Sequence, residues 1–312
     1  MSGTSCDLII IGGGPAGLTA AIYACRAQLK VVLIEQMMPG GQVATTEWVE
    51  NYPGFENGVS GYDLMQHMEK QARQFGLEIV SGSIEKVRFR EGLKEITAGG
   101  RIYNAKAIII ATGSHPRTVG VPGEDKFRGR GVSYCATCDG PFFKDKDIVV
   151  VGGGSSGLQE SLYLTRFVRS IELIEVLDHL NAEKILQKRA SENDKISIHL
   201  KHALVSINGD QKVTSVRVKD HKTGKEREIK ADGVFVWVGQ SPNTKFLKDV
   251  IELDRWGFIP TSTKMETSVP GVYAAGDVRV KDVRQIVTAV SDGAVAAEMA
   301  LKYIEAMENN EA

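Results

Sequence analysis

The chain has 312 residues, of which 42% are hydrophobic and 25% charged, with 33 glycines and a net charge of −1. That length is large for one hydrophobic core and predicts two domains. The balanced charge, with no basic patch, argues against a nucleic-acid partner. No run reaches the ~20 apolar residues of a membrane helix, so a cytosolic protein without a signal peptide is expected.

The first predicted elements lie in "DLIIIGGGPAGLTAAIYACRAQLKVVLIEQ" (7–36): a buried strand, a GxGxxG turn, a helix, and a second strand ending at Glu35. A continuous apolar run followed by helical periodicity is the pattern of a parallel strand–helix–strand unit. Gly12 allows the tight turn, Gly14 lets a pyrophosphate approach the backbone, and Gly17 lets the helix lie close on the strand. The helix N-terminus offers free N–H groups and the positive end of its dipole. Glu35 falls where a carboxylate would accept from a ribose hydroxyl. Further on, "AKAIIIATGSHPR" (105–117) runs another apolar strand into a glycine turn and would close this domain.

"SYCATCDGPFF" (133–143) follows, with Cys135 and Cys138 two residues apart and Asp139 next to the second. A zinc site commonly needs a second CxxC or nearby histidines. The other cysteines are Cys6, before the first strand, and Cys25, in the first helix. No metal site is therefore expected. In a cytosolic protein such a pair reads as a redox centre rather than a structural staple. A nearby positive end would lower one thiol below the ~8.5 of free cysteine, and Asp139 could take or give the proton as a thiol leaves. A dithiol beside a flavin has a clear use, because flavin accepts two electrons and can pass them to a disulfide.

The chain then repeats itself. "DIVVVGGGSSGLQESLYLTRFVRSIELIEV" (147–176) aligns without a gap on 7–36, so Gly152, Gly154, Gly157 and Glu175 stand where Gly12, Gly14, Gly17 and Glu35 do. Two such units predict two dinucleotides, or one and a remnant. "KDHKTGKERE" (219–228) reads as a hairpin turn, and "ADGVFVWVGQSPNT" (231–244) as the strand closing the second domain. "IPTSTKMETSVPGVYAAGDV" (259–278) ends a strand at Asp277, placed to accept from a sugar-alcohol hydroxyl, and 284–307 form an alanine-rich helix suited to close packing. The economical topology is α/β: two Rossmann-like nucleotide-binding domains, the second inserted into the first. Residues 1–116 and 244–312 form the outer domain and 117–243 the inserted one, joined by the proline-containing "GSHPR" and "GQSPN".

The order of "GGGPAG", "GGQVATT", "VENYPGF", "IIIATGS", "GRGVSYCATCDG", "GGGSSG", "GQSPN", "VYAAGDV" and "RQIVTAVSDG" resembles the low-molecular-weight bacterial thioredoxin reductases over nearly the whole chain. The resemblance implies FAD in the interrupted domain, with its ADP end on Gly12, Gly14, Gly17 and Glu35. Gln42, Asn51, Ala111, Asp277, Arg284, Gln285 and Ile286 would lie near the ribityl chain and isoalloxazine. It makes Cys135 and Cys138 the active disulfide, Asp139 the proton carrier and thioredoxin the partner. It also implies a homodimer whose inserted domain swings on the two linkers.

One departure concerns the electron donor. Where the family carries HRRxxxR to hold the 2′-phosphate of NADPH, this chain has Glu175, Val176, Leu177 and Asn181. Arginine suits a phosphate through paired, charge-assisted donors, and none remains, whereas a carboxylate suits a 2′-hydroxyl. NADH is the expected donor. The alternative is ferredoxin or another carrier, with the second nucleotide site a remnant. A reading of another class is a non-catalytic, redox-sensing flavoprotein. A ferredoxin–nucleotide reductase without disulfide chemistry leaves "CATCDG" unexplained.

Overall fold

Leu8–Ile11 is buried at all four positions, which requires a strand covered on both faces. In the computed structural model it sits in a five-stranded parallel sheet with the order Val272–Ala274, Ala107–Ile110, Leu8–Ile11, Val31–Glu35, Glu78–Ser81. The structure describes residues 3–46, 48–90 and 92–311, apart from the side chains of Thr137, Cys138, Asn310 and Glu311. Among these, the α-helices are α1 Pro15–Arg26, α2 Gly61–Gln74, α3 Ala136–Asp139, α4 Ser155–Leu164, α5 Lys184–Ser191 and α6 Ile286–Glu311. None is long and apolar enough to cross a membrane.

The chain divides into two compact units, Met1–His115 with Ser241–Ala312, and Pro116–Gln240. The crossings expected at 116/117 and 243/244 lie one and three residues further along than these divisions. The two crossing segments, Ser114–Pro116 and Gln240–Pro242, pair as a short ladder.

The outer unit adds a second sheet, Thr4–Ser5, Arg101–Ala105, Leu93–Ala98 and Ile84–Arg90, whose longer strands pair antiparallel. One core lies between the parallel sheet and α1, α2 and α6; the other joins the two sheets. Small residues set the α1–α6 spacing: Ala16, Ala20, Ala21 and Ala24 are buried on one helix, Ala289, Ala296, Ala297 and Ala300 on the other. At the closest point, a Cβ on Gly293 would collide with the Ala16 carbonyl oxygen, which no rotamer change can relieve. Gly293→Ala is therefore expected to lower stability by about 1–3 kcal/mol, the usual cost of overpacking. A thermal unfolding midpoint equal to that of the native chain would contradict this packing.

The inserted unit repeats the plan. Its parallel sheet runs Val132–Ser133, Gly233–Val236, Asp147–Val151, Ser170–Glu175, Ile196–Leu200. Asp147–Val151 pairs with Ser170–Glu175 as Leu8–Ile11 pairs with Val31–Glu35, both parallel and in register. A three-stranded antiparallel sheet, His202–Gly209, Val213–Asp220 and Glu226–Lys230, packs behind it, and the expected hairpin turn joins the last two strands. The fold is thus α/β, with two Rossmann-like units built on parallel sheets and the second inserted into the first.

Candidate active site

The first glycine turn begins where Leu8–Ile11 ends. Gly12 has φ +104°, and a Cβ there would collide with the Ala111 carbonyl oxygen; one on Gly17 would strike the Gly12 carbonyl. Both are close approaches only glycine permits. Gly14 differs: it caps α1 with extended backbone, and no heavy atom lies within 4 Å of where its Cβ would stand. The turn is tight where strand and helix meet and open where a pyrophosphate would approach. Glu35 is held in place by the backbone, its Oε2 accepting from Gly13 N–H at 2.7 Å and its Oε1 from Met37 N–H at 3.1 Å. Each carboxylate oxygen keeps a further lone pair for a hydroxyl.

The second turn has the same construction. Gly152 has φ +114°, and a Cβ there would meet the Trp237 carbonyl; Gly157 lies against the Gly152 carbonyl. The Cβ position of Gly154 has one neighbour, the Asn181 oxygen at 3.8 Å. Glu175 Oε2 accepts from Gly153 N–H at 2.6 Å and Oε1 from Leu177 N–H at 2.8 Å, the same two bonds Glu35 makes. Two differences stand beside the likeness. Glu175 is more deeply buried, at 7% exposure. The segment after it also folds onto the turn: Leu180 Cδ2 lies 2.6 Å from the Gly153 Cβ position, and Glu183 N–H donates to Ser155 Oγ at 3.2 Å.

Past Glu175, Val176 and Leu177 are 52% and 43% exposed, apolar side chains at positions expected to hold cations in an NADPH enzyme. Asp178 and His179 pair at 2.9 Å, and the Lys201 ammonium lies 3.7 Å from the other Asp178 oxygen. The hydrogen bond from His179, and then Lys201, hold the Asp178 carboxyl below the usual carboxylate range. Lys201 is a cation that the sequence reading missed, because it arrives from the far strand through its N–H bond to the Leu177 carbonyl. Its charge is matched by Asp178.

In the outer unit the expected flavin residues converge from distant parts of the chain. Asn51 Nδ2 donates to Gln285 Oε1 at 3.1 Å across 234 positions. Ala111 is buried against the first turn, its N–H bonded to the Ile11 carbonyl. Ile286 opens α6 and packs on the core beneath. Gln42 sits in the 3-10 turn Gly41–Thr45, exposed, its carbonyl accepting from Thr45 Oγ1. Arg284 stacks its guanidinium 4.3 Å over the Phe258 ring. Arg284 Nε and Asp277 Oδ1 are both buried without a hydrogen-bond partner. Buried polar atoms are rarely left so, and this pair, with Gly276 beside Asp277 lying against Ala16 at the start of α1, fits a ligand rich in hydroxyls and phosphates. The same corner holds Arg279, Lys281 and Asp292, to which the sequence reading assigned no role.

In the inserted unit Cys135 is disulfide-bonded, whereas Cys6 and Cys25 are buried free thiols. The side chain of Cys138 lies outside the described residues. Cys135 directly precedes α3, and Ser133 Oγ brackets it, accepting its N–H at 3.1 Å and donating to its carbonyl at 3.2 Å. Asp139 closes the same turn by donating its N–H to the Cys135 carbonyl at 3.2 Å. Tyr134, one residue earlier, donates to the buried Glu124 at 2.7 Å, and that carboxylate also accepts the Val119 and Gly120 N–H groups. The cysteine is thus anchored on both sides by bonds that do not involve its sulfur. Burial, then Glu124, pushes the Tyr134 phenol well above its usual range, so it remains a donor at neutral pH.

Comparison with known proteins covers the whole arrangement. Residues 6–293 match the family described as pyridine nucleotide-disulphide oxidoreductase. The thioredoxin reductase of Treponema pallidum is 45% identical over 98% of this chain and 99% of that protein. The crystal structure of Lactococcus lactis thioredoxin reductase superposes with a TM-score of 0.94 at 42% identity, covering 96% of this chain and 99% of that one. A ferredoxin-flavin thioredoxin reductase from Clostridium acetobutylicum gives a TM-score of 0.53 at 30% identity, covering 99% of this chain and all of that one.

Proposed function

We propose, for a chain that belongs to the pyridine nucleotide-disulphide oxidoreductase family and to its thioredoxin reductases, that it passes two electrons from NADH by way of FAD and a Cys135–Cys138 disulfide to a thioredoxin. The observation that carries the reading is the bonded state of Cys135, in a CxxC motif of a chain whose Cys6 and Cys25 are free thiols. FAD, when bound, supplies a two-electron acceptor able to react with both a nicotinamide and a disulfide. The turn that Gly12 and Gly17 make possible would hold its pyrophosphate at Gly14 and Glu35 would hold its ribose, while Gln42, Asn51, Ala111, Asp277, Arg284, Gln285 and Ile286 would line the remainder. Asp139 carries the proton that a departing thiolate needs. The enzyme works in the cytosol as a homodimer.

The donor reading rests on Glu175. It makes the same two backbone bonds as Glu35, so it offers the same acceptor to a ribose with a free 2′-hydroxyl. A 2′-phosphate would meet Glu175 and Asp178, and the Lys201 and His179 beside them are already paired with Asp178. A protein carrier such as ferredoxin is the second reading. What favours it is the segment Leu180–Glu183 lying against the N-terminus of α4. In either case Gly152 and Gly157 are needed for strand and helix to meet, whereas Gly154 is not.

Full-length protein should purify yellow with non-covalent FAD and reduce thioredoxin with NADH in a coupled turnover assay. A colourless preparation that takes up no FAD, or a yellow one inert toward thioredoxin with NADH, NADPH and reduced ferredoxin alike, would overturn the proposal.

A further inference from the structure

The strand Val272–Ala274 ends in the 3-10 turn Gly276–Val278, and the turn delivers Asp277 to a corner built almost wholly of charge. Asp292, buried on α6, lies beneath it. One of its oxygens accepts from Gly276 N–H at 3.1 Å and from the Lys281 ammonium at 2.8 Å; the other accepts from Arg279 Nη1 at 3.0 Å. Arg279 is fixed in turn by Thr261 Oγ1 at 2.8 Å. Lys281 is 8% exposed and stands between two carboxylates, bonded to Asp292 and 4.0 Å from Asp277 Oδ1. Asp292 is fully satisfied. Asp277 is not: its Oδ1 is shut off from solvent without a hydrogen bond, although its side chain as a whole is 33% exposed.

A buried carboxylate oxygen with no donor is costly, and its simplest escape is to take a proton. Burial does push the Asp277 carboxyl above its ordinary value, and the nearby Asp292 adds to this; Lys281 and then Arg284 oppose it. A protonated Asp277 would turn a donor toward the ligand and lose most of its strength as an acceptor. Lys281 is the nearest opposing charge. Because Asp292 holds the ammonium, it cannot swing away to solvent, as a free lysine would.

We propose that Lys281 is a positioning residue for the flavin: clamped by Asp292, its ammonium keeps the Asp277 carboxylate in the charged, acceptor form that a sugar-alcohol hydroxyl of FAD requires. The inference rests on the FAD reading given above and goes beyond it by assigning the residue that readies the acceptor. Arg279 serves the same clamp from the other side, neutralising Asp292 so that Lys281 retains charge to spare for Asp277.

The sign of the pH effect follows from the cluster. Asp277 must be charged to accept, so FAD affinity falls as pH drops through its pKa. Lys281→Met removes the largest opposing cause and moves that acid limb to higher pH. At the acid end of the range FAD should bind Lys281→Met about tenfold more weakly than the native chain, the order expected for losing an opposite charge at this distance. The test is a flavin-fluorescence titration of FAD into full-length apoprotein, from pH 5 to 9, for the native chain, Lys281→Met and Lys281→Arg, with thermal unfolding of each apoprotein alongside. The expected result is an acid limb shifted upward in Lys281→Met and restored in Lys281→Arg. A limb that does not move in Lys281→Met, whether affinity is unchanged or reduced equally at every pH, would overturn the inference and assign Lys281 a structural role. A native chain that binds no FAD at any pH would overturn the flavin reading itself, which the first result leaves standing.

Discussion

Replacing Cys135 with serine should abolish thioredoxin reduction while leaving reduction of the bound flavin by its donor measurable. The reason is the sequence of bonds. Two electrons delivered to the disulfide break its S–S bond and leave a thiolate and a thiol. The thiolate attacks a sulfur of the thioredoxin disulfide, forming a mixed disulfide, and the remaining thiol resolves it, restoring the S–S bond and releasing the reduced partner. Serine has no sulfur to donate at either step. Neither Cys6 nor Cys25 can substitute, since burial pushes the Cys6 thiol up to about 12 and the Cys25 thiol up to about 11, so neither supplies thiolate at neutral pH. The change should be tolerated structurally, because the anchors around this position are Ser133 Oγ and the Tyr134–Glu124 bond. Thioredoxin-coupled turnover and anaerobic flavin bleaching, measured on one preparation, check it. Undiminished thioredoxin turnover in Cys135→Ser would place the disulfide chemistry elsewhere.

NADH should reduce the flavin at least about tenfold faster than NADPH, a difference of only ~1.4 kcal/mol in the barrier. The extra phosphate of NADPH would face Glu175 and Asp178, and positions 175, 176, 177 and 181 carry no arginine to give it charge-assisted bonds. Val176→Arg with Leu177→Arg should reverse the preference. Both side chains are exposed, so two guanidinium groups can be added without disturbing the core. Glu175 is best left in place for this test. Its carboxylate accepts from the Gly153 and Leu177 N–H groups, and removing it would leave those two backbone donors without their acceptor as well as taking away a charge. If the double variant still preferred NADH, phosphate recognition would not be governed by these positions. Reduction by ferredoxin with neither nucleotide active would make the second glycine turn a packing device.

The repeat was readable because ligand chemistry and packing make the same demand. Gly12 and Gly17 must be glycine for strand and helix to touch, and the apolar run before them must be continuous because both sheet faces are covered. Of the antiparallel sheets only the hairpin turn within 219–228 was foreseen. Ile84–Arg90 reads "IEKVRFR", with a single buried position at Val87, so its pattern resembles a polar connection more than a strand. Within the site, residues in signature motifs could be named from sequence alone. Lys201 and the Arg279–Lys281–Asp292 network could not, since their roles depend on which strands and helices meet. The sequence reading gave Glu175 a ligand role alone, while the structure gives it two backbone bonds as well.

The central claim is that one chain carries both a flavin and a redox-active disulfide, and counting electrons tests it most directly. Full-length holoprotein should take up about four electrons per subunit in an anaerobic dithionite titration, two for the flavin and two for the disulfide. The Cys135→Ser holoprotein should take up about two. A native chain whose flavin bleaches fully after about two electrons, with no further uptake and no difference from Cys135→Ser, would contradict the account.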